Sequence, residues 1–235
     1  MQWEIVDTGE ASAEQNMQTD AKLLEELGSN PILHFYEWKS PSATHGYFLK
    51  PEEFISLESA HKKGLDLGRR PTGGGIVFHI WDLAFSVLVP AEAPFFSLNT
   101  LDNYKYVHQI VLEVVKNFLS LSCELIPQNA PQLDSSCGKF CMARPTKYDL
   151  IYQGKKIAGA AQRKMRHGYL HQGTIALCMP DKEFLQHILL PDSRVYEAME
   201  AYTYPLLGKN ASPNDIKQAK QELRQFLITS FKGSL

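Results

Sequence analysis

Residues 68–90 read GRRPTGGGIVFHIWDLAFSVLVP, and the way this stretch is built decides the fold. An arginine pair and three consecutive glycines form a loop. Ile76 to Ile80 and Ala84 to Val89 are short runs rich in β-branched and aromatic residues, separated by Trp81 and Asp82, so the segment reads as loop, strand, turn, strand. Downstream, Val107, Ile110, Val111, Val114, Val115, Phe118 and Leu121 recur at steps of three and four, which marks Tyr104 to Leu121 as an amphipathic helix that needs a sheet to pack on.

Working outward, Asn16 to Leu27 is expected to be helical, with Gly28 as a stop. Ile32 to Trp38, bounded by Pro31 and Pro41, reads as a strand, and Pro51 to Lys63 as a short helix. Pro127 to Lys139 is a polar loop of unusual length. Tyr148 to Tyr152 and Ile157 to Ala161 flank a Gln-Gly-Lys-Lys turn and form a hairpin, followed by a strand near Thr174 to Cys178. Helices over Asp181 to Leu190, Asp192 to Tyr202 and Asn214 to Phe231 complete the chain. Strands with helices inserted, rather than strict alternation, predict an α+β fold with largely antiparallel sheets flanked by helices. A single domain over residues 1–235, with a helical carboxyl-terminal segment from about residue 181, is the expectation from length.

The 235 residues carry 24 Lys and Arg against 26 Asp and Glu, a net charge of −2, which removes the general electrostatic case for nucleic-acid or membrane-surface binding. No apolar run approaches the ~20 residues needed to cross a bilayer. The amino terminus, MQWEIVDTGE, lacks the basic flank and apolar run of a secretory signal, so a cytoplasmic protein with reduced thiols is expected. Cys137 and Cys141 lack two further ligands at zinc spacing, so no metal site is expected.

Three constellations can carry chemistry. Arg69-Arg70-Pro71-Thr72-Gly73-Gly74-Gly75 reads either as an anion cradle, with backbone N–H groups and guanidiniums converging, or as a flexible surface turn. It has neither the Gly-Lys-Ser/Thr ending of a Walker loop nor a GxGxxG spacing. In Gly154 to Gln162, Lys156 sits at a strand edge beside Gly159 and Ala160, small residues that leave room for a ligand. A solvated hairpin tip is the plainer alternative. Cys141, in a polar loop among cations, is either a nucleophile with an activated thiol or a small buried hydrophobe. His79 and His171 follow apolar strand residues and are structural histidines or pocket walls.

Together these stretches resemble the lipoate-protein ligase and octanoyltransferase family, which shares its fold with biotin protein ligases. Arg69 to His79 matches the Arg-Arg-x-Ser/Thr-Gly-Gly-Gly-x-Val-x-His signature. Gly154 to Gln162 matches Gly-x-Lys-Ile-x-Gly-Ser-Ala-Gln with Ala160 for Ser, and Leu170 to Thr174 matches Leu-His-His-Gly-Thr with Gln172 for the second His. Trp3 to Gly9 and Asn16 to Asp20 are similar to the family's opening strand and helix. The segment from Cys141 to Leu150 resembles Cys-Phe-x-x-Pro-Ser-x-Tyr-Glu-Leu of the cysteine-dependent octanoyltransferases, although Gly75 stands where their pattern has Arg.

The resemblance implies an enzyme that attaches an octanoyl or lipoyl group to a lysine of a lipoyl domain. Cys141 would carry the acyl group as a thioester and Lys156 would hold its carbonyl oxygen. Arg70, Gly73, Gly74, Gly75 and His79 would line the carboxyl or phosphate end, while Gly159, Ala160, His171 and Gly173 would shape the pocket. The donor would be acyl carrier protein, and the acceptor a dehydrogenase-complex E2 subunit or the glycine-cleavage H protein, with a monomeric enzyme and no cofactor for thioester transfer. The alternative is an ATP- and Mg²⁺-dependent ligase acting through lipoyl-adenylate. A third reading is a non-catalytic relative that binds a lipoyl domain or lipoate.

Overall fold

The computed structural model describes residues 1–131, 137–208 and 210–234. Its main sheet has seven strands in the order β1-β2-β6-β10-β9-β8-β7. These are β1 (Glu4–Ala11), β2 (Ile32–Trp38), β6 (Asp82–Pro90), β7 (Glu124–Leu125), β8 (Leu150–Tyr152), β9 (Lys155–Met165) and β10 (Gly168–Ala176). A second sheet orders β4 (Asp66–Arg69), β3 (Ser42–His45) and β5 (Ile76–His79). Only β1 with β2 and β3 with β4 pair in parallel among these neighbours, so the α+β, mainly antiparallel expectation holds.

One face of the main sheet is covered by α3 (Thr100–Leu119) and α6 (Pro213–Lys232). Val107, Val111, Val114 and Val115 of α3 and Leu223, Leu227 and Phe231 of α6 bury against Leu33, Phe35, Val87 and Val89. Arg224 and Lys220 pin α6 to the sheet edge through Glu37, each at 2.8 Å. The other face receives α1 (Ala13–Glu25), whose Leu24 packs on Ile32, Leu88 and Leu170. With both faces covered, every residue of β6 is buried, which is why Asp82 to Pro90 reads as a continuous apolar run instead of an alternating one.

The differences from the sequence reading have local causes. Helix α1 begins at Ala13, not near Asn16, because Ser12 and Gln15 form a reciprocal capping box. Pro51 to Lys63 is a 3₁₀ turn at Pro51–Glu53 and then α2 (Leu57–Lys62), since Ile55 leaves the helix to bridge Leu189 and Ser56 caps the new start. The strand expected at Thr174 to Cys178 is β10, and it starts at Gly168; its polar His171 and Gln172 disguise it. The expected hairpin forms, but its turn is only Gln153 (φ 50°) and Gly154 (φ 75°), both left-handed as a two-residue turn between twisted strands requires, so Lys155 and Lys156 belong to β9 and not to the turn. Residues 132–136 of the expected long loop lie outside the described residues; beyond them Cys137–Lys139 form one 3₁₀ turn. The carboxyl-terminal segment forms α4 (Lys182–Ile188), α5 (Val195–Tyr202) and α6.

Candidate active site

Between the two sheets lies a narrow pocket lined almost wholly by apolar atoms. Arg70, His79, Cys141, Lys156, Gly159, Ala160 and Gly173 of the expected site residues all contribute to its wall. Met17, Tyr36, Val77 and Met142 supply apolar surface to the same wall.

Lys156 enters from β9 and is almost fully buried. Its Nζ lies 2.7 Å from Asp149 Oδ2 and donates to the Cys141 carbonyl at 2.8 Å. An ammonium has three N–H groups, so one remains for the pocket. Asp149 is itself held by Tyr104 Oη–H at 2.5 Å and by the N–H and hydroxyl of Thr146 at 2.6 and 2.8 Å. Burial, then the charge of Asp149, keep the Tyr104 phenol protonated well above its ordinary range, so it acts as a donor. Gly159 has no side chain because a Cβ there would collide with the end of Lys156.

Arg70 organises the glycine loop. Its Nη1 donates to the Thr44 carbonyl (3.0 Å) and hydroxyl (2.8 Å), and its Nη2 to the carbonyls of Gly73 (3.2 Å) and Gly75 (2.8 Å). Both terminal nitrogens are therefore anchored on protein oxygens. Burial lowers the guanidinium's pKa, and the Cys141 thiol opposes that shift most strongly. The Cys141 thiol is a side-chain hydrogen-bond partner of the guanidinium, and both border Gly74, where a Cβ would lie 3.2 Å from Arg70 Nη2 and 3.8 Å from Cys141 Sγ. Cys141 alone among the four free cysteines is only partly buried.

The remaining expected residues sit differently. Gly73 contributes its carbonyl to Arg70, while Gly74 and Gly75 line an open groove on the outer side with Phe48 and Lys139. His171 is not in the pocket wall. Side chains alternate along β10, so Gln172 faces the pocket and His171 faces α3, where it packs at 5.3 Å from the rings of both Tyr104 and His108. There burial pushes both imidazoles toward the neutral form, His108 down to about 3.

Residues that motif reading missed are Asp149, Tyr104, Thr44 and Asp82. Asp149 had a signal, as a lone acid entering the apolar run Leu150-Ile151. Tyr104 had none, being one aromatic residue on an amphipathic helix.

Residues 12–222 match the family described as the lipoyl protein ligase A/B catalytic domain, and the chain belongs to it. The octanoyltransferase LipM of Bacillus subtilis is 31% identical over 204 residues, covering 84% of this chain and 73% of that protein. The octanoyltransferase LipM of Staphylococcus aureus is 30% identical over 238 residues, covering 98% and 85%. Among solved structures, a lipoate-protein ligase A bound with ATP superposes with a TM-score of 0.72 at 22% identity, covering 97% of this chain and 86% of that one. The bi-partite lipoate protein ligase of Thermoplasma acidophilum gives 0.70 at 22% identity, covering 98% and 84%. The fold is theirs, and the protein is an acyltransferase.

Proposed function

We propose that the protein moves an octanoyl or lipoyl group from the thioester of acyl carrier protein to a lysine of a lipoyl domain, through a thioester on Cys141. The single observation that carries this reading is the convergence of the Cys141 thiol, the Arg70 guanidinium and the one spare N–H of Lys156 on the wall of one apolar pocket. The similarity to octanoyltransferases supports it.

Cys141 Sγ, beside the Arg70 guanidinium, attacks the thioester carbonyl of the donor, and its thiol proton passes to the departing carrier sulfur. The carbonyl oxygen gathers negative charge toward the Lys156 N–H that neither Asp149 nor the Cys141 carbonyl has taken. The carrier thiol then leaves, and the acyl chain stays against the apolar pocket wall of Met17, Tyr36 and Met142. ATP has no part in this sequence. The triple glycine that resembles ligases has a packing reason of its own, since a Cβ on Gly75 would run into the Lys139 carbonyl. A lipoyl-domain acceptor is supported by the similarity to the Thermoplasma ligase, which was solved with its E2 lipoyl domain.

Intact mass spectrometry after mixing the protein with octanoyl-acyl carrier protein, without ATP, tests the reading. The expected result is an octanoyl adduct that hydroxylamine removes and that Cys141→Ser lacks. ATP-dependent modification of a lipoyl domain by both wild type and Cys141→Ser, with no adduct, would overturn it in favour of a ligase.

A further inference from the structure

Once Cys141 carries the acyl group, the acceptor lysine arrives as an ammonium and must lose a proton before it can attack. The groups on the pocket wall offer few ways to take it. Arg70 does not accept protons, Lys156 is bound as a cation to Asp149, and burial holds Tyr36 protonated. His108 and His171 lie across the sheet. His79 remains, the side-chain type suited to trading protons near neutral pH.

The hydrogen bonds around His79 fix its tautomer. Arg70 can only donate, so Thr44 Oγ1 accepts from Nη1 at 2.8 Å. In the neutral ring the one N–H goes to the acceptor-only carboxylate of Asp82, so the Thr44 hydroxyl donates to His79 Nε2, also at 2.8 Å. Nε2 is therefore an acceptor, and Nδ1 carries the ring proton, donated to Asp82 Oδ2 at 2.7 Å. Burial works to raise the Asp82 carboxyl, but His79 and its hydrogen bond outweigh it and hold the group below the usual range. Asp82 Oδ1 is buried with no partner, which leaves the carboxylate capacity to balance an imidazolium.

We propose that Thr44 relays a proton from the incoming lysine to His79, with Asp82 as counter-charge, so that the second half-reaction has its own base. This rests on the acyl-enzyme reading above. Thr44 and His79 share the pocket wall with Cys141. His79, stacked on Trp38 at 4.3 Å, also borders an open groove lined by Trp81 and Phe184, through which its proton reaches solvent. The charged groups facing His79 are Asp82 on β6, Arg70 through Thr44, and Glu37, Asp181 and Lys220 around the groove.

The step balances as follows. The lysine ammonium gives one proton to Thr44 Oγ1 as Thr44 passes its own to His79 Nε2. The freed nitrogen lone pair forms the N–C bond at the thioester carbonyl. The C–S bond breaks with its electron pair on Cys141 sulfur, which takes the second amine proton. Amide, thiol and imidazolium result.

The test separates the half-reactions. Octanoyl-Cys141 enzyme is formed first, and single-turnover transfer to a lipoyl domain is then followed by mass, for wild type, Thr44→Val, His79→Gln and the double variant. A missing general base should slow transfer about 100-fold near neutral pH in each single variant, with the double no slower than the worse single. Part of the loss returns at alkaline pH, where the lysine deprotonates unaided. Acylation of Cys141, and cleavage of the acyl-enzyme by hydroxylamine, a nucleophile that arrives uncharged, should change far less. Equal slowing of acylation and transfer, additive losses, or undiminished transfer would overturn the relay. A wild type that never forms the adduct would instead sink the acyl-enzyme reading on which it rests.

Discussion

Lys156 and Asp149 form a buried ion pair, Nζ to Oδ2 2.7 Å, with side chains 3% and 0% exposed. Taking two charges out of water is costly, and the pair is tolerable only because the remaining carboxylate lone pairs are met by Tyr104 and Thr146. The arrangement gives up stability to hold one N–H at a fixed point in the pocket.

Removing the lysine should therefore do two separable things. Lys156→Met leaves Asp149 charged and without its cation, which should cost about 3–5 kcal/mol in urea unfolding. Its acylation of Cys141 should fall about 100- to 1,000-fold, the usual loss on deleting one oxyanion donor. Lys156→Met combined with Asp149→Leu should regain much of the stability and none of the rate. A double variant as unstable as the single would show that the charge left on Asp149 is not the cause.

Tyr104→Phe removes the donor to Asp149 and also the acceptor of the Ala160 N–H at 2.8 Å. Two buried polar groups lose a partner, so a destabilisation of about 1–3 kcal/mol is expected. Because Asp149 aims Lys156, the maximal rate of acylation should drop while half-saturation by the donor stays the same. Measuring both at several donor concentrations checks this, and an effect on half-saturation alone would contradict it.

Acid should unfold the protein earlier than its carboxylates require. Burial, then the charge of Lys156, lowers the His108 pKa to about 3, and burial lowers His171 as well. The unfolded chain takes up protons on both as pH falls through about 6.5, whereas the native state refuses them. Their contribution is thus fully present above that pH and is lost below it, down to about 3 for His108, at about 1.4 kcal/mol per pH unit for each residue. Urea midpoints between pH 7 and 5 should slope accordingly. His108→Phe should flatten the slope, and an unchanged slope would refute the assignment.

Most of the pocket was legible because its chemistry sits in continuous motifs. Arg70 and His79 bracket the glycine loop, and Lys156 and Gly159 share one strand, so their order in the chain announces their proximity. Strands β3 and β4 were not legible, since Ser42 to His45 and Asp66 to Arg69 are short and polar and are recruited only by pairing with β5 and with each other. That is why Thr44 went unnoticed. His171 misled for a different reason: a motif gives a residue's neighbours in sequence, and in a strand adjacent residues face opposite ways. Asp149 and Tyr104 meet across 45 residues, a relation that no local pattern encodes.

Gly75 shows how tightly the two loops are locked. A Cβ there would strike the Lys139 carbonyl, and Lys139 ends the 3₁₀ turn that leads into Cys141, whose own N–H donates to the Ile76 carbonyl at 2.9 Å. Gly75→Ala must therefore push the Cys141 loop away from β5, weakening that hydrogen bond and shifting the sulfur from Arg70. The clash is backbone against side chain, so no rotamer relieves it, and overpacking of this kind costs about 1–3 kcal/mol. The variant should lower the thermal midpoint and change the rate at which iodoacetamide alkylates Cys141, with Cys141→Ser as the blank for the three buried thiols. Unchanged alkylation in a destabilised variant would mean that the guanidinium does not set the thiol's reactivity.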